Sequence, residues 1–232
     1  MVQHVLHLQF KIFRMKNIII IILTTFLGSS INAQVIPFGF IKSTNLTIPS
    51  VTIGTQVWTD KNLEVVTYRD GTVIPQVTDA NAWAKLTTGA WCYYGNDPSS
   101  GYGKLYNWYA VNDPRGLAPQ GWHIPTDAEW TTLSTFLGGT SVAGGKMKTT
   151  GITRWNSPNT SATNESGFTG LPGGYRNPSG TFNFVGFNGY WWSATQSNSS
   201  FAWLRILYAT SGGLTRASAS KTNGFSVRCL RD

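Results

Sequence analysis

The stretch from Gly121 to Leu137, GWHIPTDAEWTTLSTFL, constrains the fold more than any other part of the chain. Thr126 is followed three residues later by Glu129, the spacing of a capping box. The threonine hydroxyl accepts from the Glu129 N–H, and the Glu129 carboxylate reaches back to the Thr126 N–H. Asp127 and Glu129 put negative charge in the first turn, where the helix dipole favours it. Pro125 lies just outside, where its missing N–H costs nothing. Trp130, Leu133, Phe136 and Leu137 recur at helical spacing as one apolar stripe, and Gly138-Gly139 ends the run. The segment predicts a helix over 127–137 docked on a core. None of its residues demands a catalytic explanation.

What that helix docks on is bounded by composition. The 232 residues suit one domain plus a processed segment. Aromatic residues (13%) outnumber charged ones (12%), which supplies a large core and leaves rings over for surfaces. Twenty-five glycines point to many turns and a partly β architecture. The formal charge of +8 falls to +5 once Lys11, Arg14 and Lys16 of the leader are set aside, and it is scattered. A nucleic-acid footprint would need clustering, so no nucleic-acid partner is expected.

The leader is Met15-Lys16-Asn17, an apolar run from Ile18 to Leu27, and then small residues up to Ala33. These are the three regions of a secretory signal, with cleavage after Ala33. Either residues 1–14 extend the n-region or Met15 is the initiator. The run is too short to span a bilayer comfortably, so no membrane insertion is expected after cleavage. The domains read as a signal region over 1–33, an arm over 34–50 and one domain over 51–232. Cys92 and Cys229 are the two cysteines. In an exported protein an even count predicts a disulfide between them; two buried free thiols are the alternative.

Within the domain, Asp70-Gly71 between strand-like runs marks a hairpin. A short helix near 80–86 follows, capped by Thr78 or Asp79. An aromatic block then holds Trp91, Tyr93, Tyr94, Tyr102, Tyr106, Trp108 and Tyr109. The polar segment from Gly144 to Gly170 reads as loop. GYWWSATQ, FAWLRILYA and GFSVRCLRD alternate as three strands of an antiparallel meander.

Taken in order, WTDKNLEV, LYNWYAV, GWHIPTDAEWTTL, GFTGLPGGYR, GYWWSAT and GFSVRCLRD resemble the Fibrobacter succinogenes major paralogous domain, a family of secreted or surface proteins from Fibrobacter and Bacteroidota. The resemblance covers roughly residues 51–232. IPTDAEW and GFSVRCLRD are also distantly similar to the formylglycine-generating enzyme family. Both resemblances imply an α+β, C-type-lectin-like fold with two helices on small twisted antiparallel sheets and long loops. Such a fold hosts enzymes, glycan binders and protein binders, so it does not settle function.

The residues argue against catalysis. Cys92 and Cys229 do not align as the reactive thiol pair of the formylglycine-generating enzymes. His123 is the one histidine outside the leader, and no Ser–His–Asp set can be built on it. Asp127 and Glu129 are accounted for by capping, and Asp97 and Asp113 by turns, which leaves few acids for a glycosidase pair. No cofactor is expected. Calcium stays open through Asn96, Asp97, Asn112, Asp113, Asn164 and Glu165, although the E-P-N, Q-P-D and W-N-D motifs of sugar-binding C-type lectins are absent. Trp191-Trp192 sit on one strand and so face opposite ways. Exposed Trp, Tyr and Arg suit stacking on a sugar ring or contact with a protein. The candidate ligand-binding residues are Arg154, Trp155, Tyr175, Arg176, Trp192, Arg205 and Arg216. The sequence therefore reads as a secreted or cell-surface, non-catalytic module that binds an extracellular glycan or protein through second-half loops. A structural component of a surface assembly is the alternative, and a hydrolase or oxidase comes after both.

Overall fold

The computed structural model describes residues 10–15, 18–23 and 48–232. The chain divides into two units, Met1–Leu46 and Thr47–Asp232. In the first, β1 (Phe10–Met15) and β2 (Ile18–Leu23) pair antiparallel. The expected cleavage site after Ala33, and positions 34–47 of the expected arm, lie outside the described residues. Among the described residues, no helix is long and apolar enough to cross a membrane.

The second unit is α+β. Its helix α3 (Asp127–Phe136) starts as the sequence requires, with both arms of the Thr126–Glu129 capping box formed. It docks through the backbone of its own N-terminus: Ala194 N–H donates to Pro125 O, and Asp127 N–H to Thr195 Oγ1. Trp130, Leu133 and Leu137 are buried, but Phe136 is 62% exposed, so the apolar stripe is one residue narrower than expected. At helical spacing, 136 lies beyond the edge of the face that 130, 133 and 137 share. Helix α1 (Ala80–Ala84) is capped by Asp79. Asp70-Gly71 makes the expected tight turn, closed by a Thr67–Val73 bridge. Two further helices, α2 (Trp108–Val111) and α4 (Ala143–Met147), were not read from the pattern. Helix α4 overlaps the start of the segment from Gly144 to Gly170 that was expected as loop. Its two glycines disguise it; a Cβ on Gly144 would run into the Gly213 carbonyl, and one on Gly145 into that of Ser161.

A five-stranded sheet organises the unit, in the order β12-β11-β10-β8-β9. Its strands are β8 (Gly173–Arg176), β9 (Phe182–Val185), β10 (Asn188–Gln196), β11 (Phe201–Tyr208) and β12 (Leu214–Ser220). The third strand of the meander is therefore β12 and not GFSVRCLRD. LTRASAS carries almost no large apolar side chain, as an edge strand can, and so gives a faint signal. GFSVRCLRD alternates because it threads between elements. Gly224 pairs with Arg176, Phe225 with Tyr106 and Ser226 with Trp191, and only β13 (Leu230–Arg231) is strand. That strand joins β3 (Ser50–Ile53), β4 (Gln56–Thr59) and β7 (Trp122–His123) in the order β3-β4-β13-β7. A two-stranded sheet pairs β5 (Trp91–Tyr93) with β6 (Lys104–Tyr106).

Adjacent Trp191 and Trp192 do point to opposite faces, and both are fully buried, because the large sheet has a core on each side. Trp192 packs with Tyr106, Trp108, Leu204 and Phe225. Trp191 packs with Trp58, Trp130, Trp155 and Phe168. A third cluster gathers Trp83, Ala90, Cys92 and Leu105. The expected disulfide does not form: Cys92 and Cys229 are buried free thiols in different clusters. Burial pushes each thiol up to about 12, which leaves both inert near neutral pH.

Candidate functional site

Most of the residues expected to bind a ligand are instead cations and rings that hold the interior together. Trp155 is buried and donates from Nε1 to Thr149 Oγ1 and Gly170 O, each at 3.1 Å. Arg176 is buried over the Trp83 and Phe182 rings and donates to the carbonyls of Gly180, Val77 and Thr78. Trp192 is buried and donates to Tyr106 O. Arg205 is buried and pairs with Asp127 at 2.7 Å. Burial opposes the charge on Asp127, but hydrogen bonds from Arg216 and Arg205 outweigh it and lower its pKa. Arg216 is partly exposed, yet its guanidinium is committed to Asp127 and lies 3.3 Å from the centre of the Trp203 ring. Arg154 is exposed, bonded to Ser100 O and set over Tyr102. Arg176 shows how a buried cation is held by carbonyls without a carboxylate, with three of its five N–H groups donating to backbone.

A concave surface lies elsewhere, where β9, β10 and β11 meet the residues that follow them. A cleft of about 510 Å³ is lined by Phe184, Phe187, Asn188, Tyr190, Tyr208, Ala209 and Thr210. Phe184 and Phe187 are 53% and 50% exposed on its rim. Asn188 and Tyr208 are paired across β10 and β11, so the floor is sheet. The wall at Ala209 is tied to the opposite lip by Ala209 N–H donating to Phe187 O at 2.7 Å. Tyr190 stacks on Phe225 at 5.3 Å, and its hydroxyl accepts from Asn188 Nδ2 at 2.7 Å. Burial raises the Tyr190 hydroxyl to about 12, so it stays neutral. Tyr175 is the one expected site residue that reaches this place: it packs on Tyr190 and stacks on Phe184 at 6.1 Å and 12°.

Phe184 has a φ of 61°. A bulky side chain pays about 1–2 kcal/mol for that left-handed conformation, and here burial does not offset the cost. The strain separates the two phenylalanines of β9: Phe182 packs on Tyr94 and under Arg176, whereas Phe184 meets Tyr175 at the cleft. Strain held on an exposed ring at the rim of a cavity points to function. The available sequence signal was FNFVGFN, three phenylalanines in a polar, turn-rich segment. Chemically the cleft offers flat apolar faces and a few neutral polar groups; no carboxylate, lysine, arginine or histidine lines it. A smaller groove of about 360 Å³ runs beside Phe136 and contains the Lys146–Glu165 ion pair.

Four of the six residues considered for calcium have other partners, while Asn96 donates from Nδ2 to Thr78 O and its buried Oδ1 has no hydrogen-bond partner among the described residues. Asp97 accepts from Ser99, Asp113 pairs with Arg115 at 2.7 Å, Asn164 Oδ1 accepts from Thr169 N–H, and Glu165 pairs with Lys146. Among the described residues, no group of three or more His, Cys, Asp or Glu side chains is placed to hold a metal ion.

His123 joins two elements. Its Nδ1 lies 2.7 Å from Asp232 Oδ1, and its Nε2 lies 2.9 Å from Glu129 Oε1. Both contacts are hydrogen bonds only when both ring nitrogens carry protons. Burial works against that charge, but Asp232 and Glu129 outweigh it and raise the pKa above 6.5. Glu129 is shifted the other way: burial raises it, and Thr126 and His123 bring it below 4.5. The histidine's contribution to stability is full below its unfolded value of 6.5 and is lost as pH rises through its folded value. The glutamate's is present above 4.5 and is lost as pH falls through its folded value. The cluster is therefore strongest between those limits. His123→Gln is expected to lower the melting temperature more at pH ~5.5 than at pH ~8.5, measured by calorimetry at both.

The family model of the Fibrobacter succinogenes major domain matches residues 51–231. The chain belongs to this family. The match takes in the three sheets of the second unit but for Ser50, the capped helix α3 and the whole aromatic cleft. No characterised protein and no solved structure matched the chain.

Proposed function

We propose that this Fibrobacter succinogenes major domain is a non-catalytic binding module, exported to the cell surface or beyond, that takes an extracellular glycan on its aromatic cleft. One observation carries the reading: two half-exposed phenylalanines, one of them strained, flank a cleft without any charged side chain. A neutral pyranose offers such a site an apolar face for the rings and hydroxyls for Asn188, Tyr208 and Thr210. Capped helices α1 and α3 in the positions expected from the sequence, with largely antiparallel sheets and long loops, favour a C-type-lectin-like arrangement. The absence of a carboxylate from the lining argues against hydrolysis there.

A glycan and polysaccharide panel, run with and without a calcium chelator, tests this. Saturable binding is expected, weakened about tenfold or more by Phe187→Ala with the fold intact. Insensitivity to the chelator is the expected result, and sensitivity would bring calcium into the site. A flat panel sinks the glycan reading. The exposed apolar side chains Phe136, Val73 and Ile152 would then favour a component of a surface assembly, sought by cross-linking.

A further inference from the structure

Lys148 has no solvent exposure and no carboxylate partner among the described residues. Its ammonium donates to three backbone carbonyls: Thr160 at 2.8 Å, Tyr208 at 2.9 Å and Ser211 at 2.9 Å. An ammonium has three N–H donors, so all are used. Two of the three carbonyls, Tyr208 at the end of β11 and Ser211 in the turn that follows it, bracket Ala209 and Thr210, and Tyr208, Ala209 and Thr210 form one wall of the aromatic cleft. The same turn is gripped by Thr160 N–H, which donates to Ala209 O at 2.8 Å, and by Gly145 N–H, which donates to Gly212 O at 2.7 Å. Through Ala209 N–H and Phe187 O it is joined to the opposite lip. A shift at the lysine therefore reaches both sides of the cleft through two hydrogen bonds.

We propose that Lys148 is a positioning residue for the cleft, its ammonium fixing the wall formed by Tyr208, Ala209 and Thr210 and so setting the affinity for ligand. The proposal rests on the reading of the cleft as the ligand site. The groups that face the ammonium are neutral: the Trp155 ring, 5.4 Å away, and the three carbonyls. Tyr208 is the titratable residue of the gripped turn. Burial with nothing to compensate it lowers the lysine's pKa to about 8. Once deprotonated, the amine has two donors for three carbonyls, and one hold on the turn is released. Global stability moves the other way. Because the folded pKa is lowered, the unfolded chain binds more protons above pH 8 than the folded one, and this group's contribution rises with pH. A lysine that served stability alone would thus show no loss in the alkaline range.

The experiment follows the protein from pH ~7 to ~9.5 with three readouts: the amide resonances of Ala209 and Thr210, the melting temperature, and the affinity for Nile red, an uncharged aromatic dye. The expected result is wall amides that titrate with a midpoint near 8. Dye affinity should fall about fivefold over the same range, the loss of one hydrogen bond's worth of order, without a fall in melting temperature beyond the one that His123 accounts for, which the same series on His123→Gln removes. Amides that stay fixed overturn the role of Lys148 alone, whatever the dye does. Moving amides with unchanged dye affinity overturn it as well. Dye binding at pH ~7 that ignores Phe187→Ala overturns the reading of the cleft itself, and that failure is visible before the pH is changed. The pH series needs no substitution at 148, where Lys148→Met would strand three carbonyls and cost folding.

Discussion

Arg228→Met is expected to lower the melting temperature by about 10 °C. The guanidinium is wholly buried where the C-terminal segment crosses the end of β4. Its Nε donates to Asn62 Oδ1 at 2.8 Å, one terminal nitrogen to Thr59 O at 2.7 Å and Phe168 O at 2.8 Å, and the other to Thr169 O at 3.1 Å. Burial lowers its pKa to about 9, a sign of what the charge costs there. Replacing a buried ion pair by an apolar residue is often neutral, because both charges leave together. Among the described residues no carboxylate lies within ion-pair distance of Arg228, although Asp60 attracts it from farther away. Methionine would take the guanidinium away from three carbonyls, at about 1–3 kcal/mol for each that water does not reach; Asn62 Oδ1 would keep its hydrogen bond from Trp191 Nε1. A net loss of about 3 kcal/mol at ~3 °C per kcal/mol gives the expected shift. Calorimetry checks it, and a loss under ~3 °C would mean that water replaces the guanidinium.

Gly144→Ala is expected to cost about 3 kcal/mol or more, read as a fall in the urea midpoint. In an ordinary helix the same change gains about 1 kcal/mol, since alanine is the better helix former. Here the new methyl would occupy the place of the Gly213 carbonyl, with Gly212 O also within 3.0 Å. Both obstacles are backbone, so no rotamer relieves the contact. The displaced segment is the turn after β11, and ligand affinity should fall along with stability. A stabilised Gly144→Ala protein would show that the packing of α4 against residues 212–213 is not as described.

These two sites show why some of the structure could be read from the sequence and some could not. Helix α3 was legible because its information is local: Thr126, Glu129 and Gly138-Gly139 act within a turn or two of their own positions. The outward turn of Phe136 was not, since helical spacing marks a stripe and not its edges. The roles of Arg176 and Arg228 were hidden for the opposite reason. Their partners are carbonyls, some of them more than fifty residues away, and a carbonyl has no sequence signature. Trp155 looked like a loop residue because nothing periodic surrounds it, yet its indole is held by Thr149 and Gly170. Tyr175 lies beside the cleft, where a glycine-rich strand meets the aromatic cluster. Phe184 was missed because a left-handed phenylalanine breaks the alternation that makes a strand legible.

That residue supplies the most direct test of the central claim, that the aromatic cleft is the ligand site. Phe184→Asn removes the ring but tolerates the left-handed backbone. The relief of strain, about 1–2 kcal/mol, should offset the lost stacking on Tyr175, about 0.5–1.5 kcal/mol. The measurement is glycan-panel binding of Phe184→Asn beside the wild-type protein, with melting temperatures of both. The expected result is at least about a tenfold loss of affinity with no fall in melting temperature, the trade between function and stability that a strained site implies. Undiminished binding by Phe184→Asn would place the ligand elsewhere on the surface and contradict the account.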